Sequence, residues 1–145
     1  MAFIKKNIRL KAMDFLARRE YSRWELHQKL SHKFPECSEI DQVLEQLSIE
    51  GLQADSRFAD SFFRLRVNSG YGPKYIQAEL RQRGISDSLI DDVFTEQNVD
   101  WSAVARALFE KKYGNEDMSD TKLRAKCTRY MQYKGFGFDH IRELF

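Results

Sequence analysis

Cysteine and proline are scarce in this sequence, which has two of each among its 145 residues. A disulfide framework would need more cysteines, and a zinc site would need ligands paired at short spacing. We therefore interpret Cys37 and Cys127 as buried or half-buried thiols in a reducing cytoplasm. The three histidines form no ligand pair with acidic or cysteine neighbours either. We expect no bound metal.

Long apolar runs are also missing, so no transmembrane helix is expected. The first residues, MAFIKKNIRLKAMDF, include three lysines but no apolar signal core and no small-residue cleavage site. They are typical of mature protein rather than of a signal peptide. With 42% apolar and 32% charged residues, the chain is too apolar for disorder and too polar for a membrane. A soluble, helix-rich, cytoplasmic protein is predicted.

Signatures of catalysis are lacking as well. The segment GYGPKY (70–75) has two glycines but not the spacing of a phosphate-binding loop, and Pro73 explains it as a helix start. No nucleophile elbow, HExxH motif or pair of carboxylates in an apolar context can be found. Cys127 has basic neighbours, but it occupies a repeat position that is apolar elsewhere, which favours a core thiol. We expect neither enzymatic activity nor a cofactor.

The sequence repeats itself three times. The segments SEIDQVL (38–44), SLIDDVF (88–94) and DHIRELF (139–145) share an isoleucine followed by apolar residues three and four positions later. This spacing places the apolar side chains on one face of a helix. Ser38 and Ser88, each with an aspartate three residues on, predict capping boxes, and Asp139 takes the serine's place in the third copy.

Two further helices recur before each of these segments. The first has the pattern Ala-x-x-x-large-x-x-basic, and the second has apolar pairs four residues apart. The first pattern comprises Ala12/Leu16/Arg19, Ala59/Phe63/Arg66 and Ala105/Phe109/Lys112, and the second comprises Leu26/Leu30, Ile76/Leu80 and Cys127/Met131. The predicted N-caps of the first helices are Asn7, Asp55 and Asp100. The middle helix of the first repeat is predicted to start with Ser22 as N-cap and Glu25 in a capping box, and that of the second repeat with Gly72 as N-cap and Pro73 as first helical residue. Gly84 and Gly135 are predicted to end middle helices.

These patterns predict an all-α protein of three tandem three-helix repeats, spanning 1–53, 54–98 and 99–145. A unit this small cannot bury a sufficient core alone, so neighbouring units must pack into an elongated, curved array. The predicted helices are 7–19, 22–33, 39–50, 56–68, 73–83, 89–97, 101–113, 120–134 and 140–145.

Basic residues concentrate at both ends of the chain. On the eighth helix Lys122, Lys126 and Arg129 form a row with no acid in it, and Lys5 and Arg9 form a similar pair on the first. Such a row could contact phosphates, or it could be a solvated face whose stems cover apolar surface. These five residues, Lys5, Arg9, Lys122, Lys126 and Arg129, are our candidate contacts with DNA, either free or bound in a complex.

Other charged and aromatic residues suggest different roles. Arg19, Arg66 and Lys112 recur at one repeat position, which favours a structural pairing with acids of the same unit, such as Glu25 and Glu79. Six aromatic residues are expected to be exposed: Tyr21, Trp24, Tyr71, Tyr75, Tyr130 and Tyr133. Trp24 is the best interface candidate, while Tyr130 and Tyr133 lie among cations and could stack on bases.

Three segments resemble the RecX family of regulatory proteins: FLARREYSRWELHQKL (15–30), RFADSFFRLRVNSGYGPKYIQAELRQRGI (57–85) and KCTRYMQYKGF (126–136). The resemblance covers essentially the whole chain in order. Its more specific part is a motif carried here by Gly72, Pro73, Ile76, Glu79, Leu80, Gly84 and Ile85. Phe34, in place of a common glycine, and Lys134, in place of an arginine, depart from the family pattern.

The resemblance implies three tandem three-helix repeats and a bacterial cytoplasmic protein that binds the RecA–DNA filament. Such a protein would depress strand exchange, ATP hydrolysis and coprotease activity, and would bind DNA weakly and salt-dependently. A DNA-binding protein built of helix-turn-helix-like pairs is an alternative, although its third helices are acidic. A helical scaffold for another protein partner also fits the architecture. We expect a monomer, because binding in a filament groove needs no symmetric interface.

Overall fold

The computed structural model describes residues 2–145, and throughout that range its regular elements are helices. This confirms the all-α prediction. The elements are α1 (Ala2–Arg18), α2 (Arg23–Lys33), α3 (Ile40–Ile49), α4 (Asp55–Asn68), α5 (Pro73–Gln82), α6 (Asp87–Gln97), α7 (Trp101–Tyr113), α8 (Thr121–Tyr133) and α9 (Phe138–Ile141), then a 3₁₀ turn (Arg142–Leu144).

Successive groups of three helices enclose separate hydrophobic cores, and we call them unit 1 (α1–α3), unit 2 (α4–α6) and unit 3 (α7–α9). The repeat positions identified in the sequence supply these cores. The alanines that open each unit are buried, as are the apolar pairs of the middle helices: Leu26/Leu30, Ile76/Leu80 and Cys127/Met131. The small alanine side chain lets the first helix approach its neighbours closely, which is why its position repeats.

Several helix ends follow the sequence signals. Ser22 and Glu25 form the capping box of α2, with the Glu25 amide donating to Ser22 Oγ at 3.1 Å. Asp100 caps α7 by accepting from the Ala103 amide at 3.1 Å. Gly84 and Gly135 have φ of +78° and +104°, the left-handed conformation that ends a helix and favours glycine.

Other predicted starts are wrong. In the structure α1 begins at Ala2, so Asn7 lies inside the helix rather than at its cap. Asp55 is the first residue of α4, not its cap, and its carboxylate instead accepts from the Arg23 amide at the start of α2, 2.9 Å away. Capping boxes at Ser38 and Ser88 are absent from the described structure: α3 has Glu39 at its N-cap with no side-chain bond, and Ser86 caps α6.

The final helix also starts earlier than predicted. It forms one turn, Phe138–Ile141, and tightens into the 3₁₀ turn instead of running from 140 to 145 as an α-helix. Gly137 is its N-cap, and Asp139 pairs with Arg142 at 2.5 Å rather than capping it. Ile141 and Leu144 are still buried in unit 3, as the apolar spacing required.

Unit 1 meets unit 2 through charged side chains and a close glycine contact. Arg83 of unit 2 lies 3.4 Å from the Glu25 carboxylate of unit 1, and Arg57 lies 3.2 Å from Glu20. A Cβ atom placed on Gly84 would stand 2.6 Å from the Cβ of Trp24. The glycine that ends the middle helix of unit 2 thus lies against the first turn of the middle helix of unit 1.

Unit 2 meets unit 3 in the corresponding place, but through the backbone. The Gly72 amide donates to the Lys134 carbonyl at 2.6 Å, and the Lys74 amide donates to the Gly135 carbonyl at 3.1 Å. A Cβ on Gly135 would stand 2.5 Å from the Cβ of Tyr75, so this approach requires glycine. Within residues 2–145, the hydrogen bonds and ion pairs between units join only neighbours in the chain, as expected for tandem repeats.

Candidate interaction surfaces

The basic row of α8 is present as the sequence predicted. Lys122, Lys126 and Arg129 are all exposed, and in the part of the chain that the structure describes no carboxylate lies within 4.0 Å of their charged side-chain nitrogens. Lys122 stands in the first helical turn, where the helix dipole disfavours a cation. The row therefore does not stabilise its own helix, which favours a role in binding an anion.

An aromatic side chain extends this row. Tyr133 follows Arg129 by one helical turn, so it lies on the same face, and it is 74% exposed. Tyr130, by contrast, is half-buried, packs edge-on against Tyr113 with ring centroids 6.0 Å apart, and has Lys112 Nζ 4.0 Å above its ring. Of the two tyrosines predicted to stack on bases, only Tyr133 is placed to do so.

The pair on α1 is less available than the sequence suggested. The two terminal guanidinium nitrogens of Arg9, Nη1 and Nη2, donate to the two carboxylate oxygens of Glu50 at 2.9 and 2.7 Å. This bidentate hydrogen bond raises the pKa of Arg9 and lowers that of Glu50. Lys5 is exposed beside Lys6, and these residues and Arg9 line one shallow groove. Because Glu50 neutralises Arg9, unit 1 offers lysines there rather than a continuous basic row.

Arg19 and Arg66 pair with acids of their own units as predicted, whereas the prediction is wrong for Lys112. Arg19 pairs with Glu25 at 3.2 Å, and Arg66 pairs with Glu79 at 3.7 Å. Arg83 joins the two pairs, since it contacts Glu79 at 2.5 Å as well as Glu25. The five side chains form one network across the junction of units 1 and 2.

In unit 3 the same position is used differently. Lys112 has no carboxylate partner among residues 2–145, and its ammonium lies over the Tyr130 ring instead. Tyr130 occupies the repeat position that Glu79 holds in unit 2. A cation–π contact thus replaces the ion pair.

The expected exposure of the remaining aromatics is confirmed only in part. Trp24 is 47% exposed, and its Cβ side packs on Gly84. Tyr21 is buried, because its ring packs on Phe15 and under the Arg19 guanidinium, 3.6 Å from the ring centroid. Tyr71 and Tyr75 are half-buried and stack on each other with centroids 4.1 Å apart.

The pKa of each of the two thiols is raised. Cys127 is buried in the core of unit 3, and burial raises its pKa. Cys37 is half-buried and donates to a Glu39 carboxylate oxygen at 2.9 Å, a hydrogen bond that raises its pKa as well. Among residues 2–145 there is no cluster of histidine, cysteine and acidic side chains with the form of a metal site, and no helix long and apolar enough to cross a bilayer.

Sequence reasoning missed a groove on unit 1 between α1 and α2, which reaches the junction with unit 2 at Trp24 and Glu25. It has a volume of about 600 Å³, and we call it the unit 1 groove. Its lining is mainly basic and aromatic, and comprises Lys11, Phe15, Arg19, Trp24, Glu25, Gln28, Lys29, His32 and Lys33. Aligning the middle helices of units 1 and 2 would have drawn attention to this surface, because unit 1 has the positively charged Lys29 at the position where unit 2 has Glu79.

Comparison with known proteins agrees with this architecture. Models of the first, second and third three-helix domains of RecX match residues 9–47, 55–93 and 100–145. The regulatory protein RecX of Pseudomonas entomophila is 39% identical over 137 residues, which cover 94% of this chain and 88% of that protein. RecX of Halorhodospira halophila is 42% identical over 135 residues, covering 93% of this chain and 84% of that protein.

Solved structures share the fold. The crystal structure of RecX from Lactobacillus salivarius superposes with a TM-score of 0.75 at 21% identity, covering 99% of this chain and 96% of that one. A second crystal structure of regulatory protein RecX gives a TM-score of 0.77 at 23% identity, covering 97% of this chain and 72% of that one. With three family models matched in order, the chain belongs to the RecX family of regulatory proteins.

Proposed function

We propose that this protein binds RecA filaments assembled on DNA and depresses the strand exchange, ATPase and coprotease activities of RecA. Membership of the RecX family supports RecA as the partner. The observation that carries the proposal on the structural side is the unpaired row of Lys122, Lys126, Arg129 and Tyr133. In this proposal the protein acts in the cytoplasm, as a monomer, and by binding rather than by catalysis.

The arrangement of the units suits a filament. Three units, each joined to its neighbour in the chain, present surfaces that can contact several subunits of a helical polymer at once. Contacts that are weak individually then combine, because the second and third form within an already tethered complex. The basic row would add phosphate contacts wherever DNA is accessible in the filament, and these make binding dependent on salt.

Direct binding to DNA is a second candidate function, and the same row supports it. The acidic residues of the third helix in unit 1 mostly serve pairs within that unit, as Glu50 with Arg9, Glu45 with Arg23 and Asp41 with His27. Asp91 and Asp92 on α6 are exposed and would repel phosphates. DNA would therefore contact α8 rather than a recognition helix at the end of each unit. A scaffold for a different protein is the remaining alternative.

The test is a titration of the purified protein into RecA on single-stranded DNA, with ATP hydrolysis as the readout. We expect strong inhibition at amounts well below one molecule per RecA subunit. A charge-reversed variant, K122E/K126E/R129E, should require much more protein for the same inhibition, while R64E/K111E, which reverses two exposed cations elsewhere, should behave as wild type. A folded wild-type protein without effect on RecA would refute the proposed function and leave the scaffold alternative.

A further inference from the structure

The unit 1 groove is the uncovered counterpart of an interface used inside the chain. In unit 2 the surface between α4 and α5 meets unit 1 at Arg83, which lies 3.4 Å from the Glu25 carboxylate. Within unit 2, the guanidinium groups of Arg66 and Arg83 lie 4.6 and 4.8 Å from the ring centroid of the buried Phe62. In unit 3 the Leu108 side chain, on the corresponding surface, approaches Gly70 of unit 2. In units 2 and 3, the surface between the first and middle helices is therefore in contact with the preceding unit.

Within residues 2–145 no unit is packed ahead of unit 1, yet unit 1 keeps the elements of the surface. The repeats align Phe15 with Phe62, Arg19 with Arg66, and Lys33 with Arg83. Phe15 is only partly covered, with Lys11 Nζ 5.0 Å from its ring centroid. Lys33 is exposed and, unlike Arg83, has no acidic partner within residues 2–145. These residues therefore form a docking surface without an occupant.

The internal junction shows what such an occupant would need. The first turn of α2 presents Glu25 to Arg83, beside the Trp24 side chain that packs on Gly84. An occupant of the unit 1 groove would correspondingly offer carboxylates to Lys29 and Lys33 and an apolar side chain to Phe15. Lys29 strengthens this preference, because it replaces Glu79 with a positive charge.

A second copy of the chain is a poor occupant. The far end of the array presents Lys126 at the repeat position that Glu25 holds in unit 1. Docked head to tail, two copies would place Lys126 against Lys33 where the internal junction has Glu25 against Arg83. Like charges at this contact oppose the open-ended stacking that a repeat protein otherwise risks.

We propose that the unit 1 groove docks an acidic segment of a protein partner, such as a helix start or turn that presents carboxylates beside an apolar side chain. The proposal deepens the function given above and rests on it for the identity of the partner, which would be RecA. Recognition of the acidic segment itself follows from the groove. Lys29 and Lys33 supply the attraction, and Phe15 and Trp24 supply the apolar contact.

The experiment uses a labelled peptide, SDWEELAALL, and measures fluorescence anisotropy with the full-length protein. The peptide carries the acidic and aromatic groups of a helix start, and its basic counterpart, SKWKKLAALL, is the matched control ligand. In K29E/K33E we expect the affinity for the acidic peptide to fall about tenfold or more, because two attractive contacts become repulsive. In R64E/K111E, which makes the same change in charge outside the groove, the affinity should change less than about twofold. Circular dichroism checks the fold, and K29Q/K33Q provides a milder variant.

Three results would overturn the proposal. Equal binding of the acidic and basic peptides, or equal losses in both charge-reversed variants, would show that the groove does not select the acidic segment. A labelled dT oligonucleotide that loses affinity only in K29E/K33E would identify nucleic acid as the occupant. Self-association in sedimentation experiments that changes in K29E/K33E but not in R64E/K111E would identify a second copy. Because no RecA is present in these assays, failure of the proposed function would not alter their outcome.

Discussion

The basic row of α8 leads to a quantitative prediction about DNA binding. We consider the variant K122A/K126A/R129A, which removes three exposed cations and puts the strongest helix former in their places. None of the three side chains takes part in an ion pair among residues 2–145, so the fold should be unaffected. Any change in affinity for DNA then reports on phosphate contacts.

The expected magnitude follows from counterion release. Each phosphate contact on a single strand contributes about −0.7 to the slope of log K against log salt concentration, so three contacts contribute about −2. Between 50 and 200 mM salt this share alone lowers affinity by about twentyfold. The variant should lose this share, and its slope should be shallower than that of the wild type by about 2.

The assay is fluorescence anisotropy with a labelled dT oligonucleotide at four or more salt concentrations. K29A/K33A/R64A is the matched control, since it removes three exposed cations outside the row. We expect its slope to stay close to that of the wild type. If both triple variants lost the same slope, or if the α8 variant kept the wild-type slope, the row would not be the phosphate-binding surface.

The remaining predictions concern the junctions and the thiols. Gly135→Ala should lower the free energy of unfolding by about 3 kcal/mol or more, because the backbone there is left-handed and the added Cβ would overlap Tyr75. Gly51→Ala should lower it by only about 1 kcal/mol, because nothing lies within 4 Å of the added Cβ. Urea denaturation compares the two, and equal costs would contradict the close contact at the junction of units 2 and 3. Toward a thiol reagent at neutral pH, Cys127 should react only after unfolding, because burial raises its pKa, and C37S should therefore abolish native-state labelling. Rapid modification of folded C37S would contradict the burial of Cys127.

The sequence was informative wherever an apolar period repeated. The helices, their grouping and the buried positions, such as Ala12, Leu26 and Ile40, follow from spacings that pack one face of each helix into a core. Capping was less predictable, because a serine near a helix start competes with neighbouring residues for the N-cap. Ser86 caps α6 although Ser88 has the better-looking pattern, and Asp55 serves α2 of the preceding unit instead of its own helix.

The candidate phosphate-binding residues also differ in how well the sequence alone could predict them. The row on α8 depends on spacing within one helix, so Lys122, Lys126 and Arg129 could be identified from the sequence and proved to be exposed. The pair on α1 could not be judged that way. Glu50, which neutralises Arg9, is forty-one positions further along the chain, and only the packing of α3 on α1 brings it near. The unit 1 groove likewise depends on how the described units pack on one another.

The two junctions differ in how strongly salt is expected to act on them. Units 2 and 3 share backbone hydrogen bonds from Gly72 and Lys74, which ionic strength hardly affects. Units 1 and 2 depend more on ion pairs, Arg83 with Glu25 and Arg57 with Glu20, which salt weakens. Rising salt should therefore loosen unit 1 while the other two units continue to move as one body. The end of the array that carries the unoccupied groove is then also the end whose orientation the surrounding solution can change.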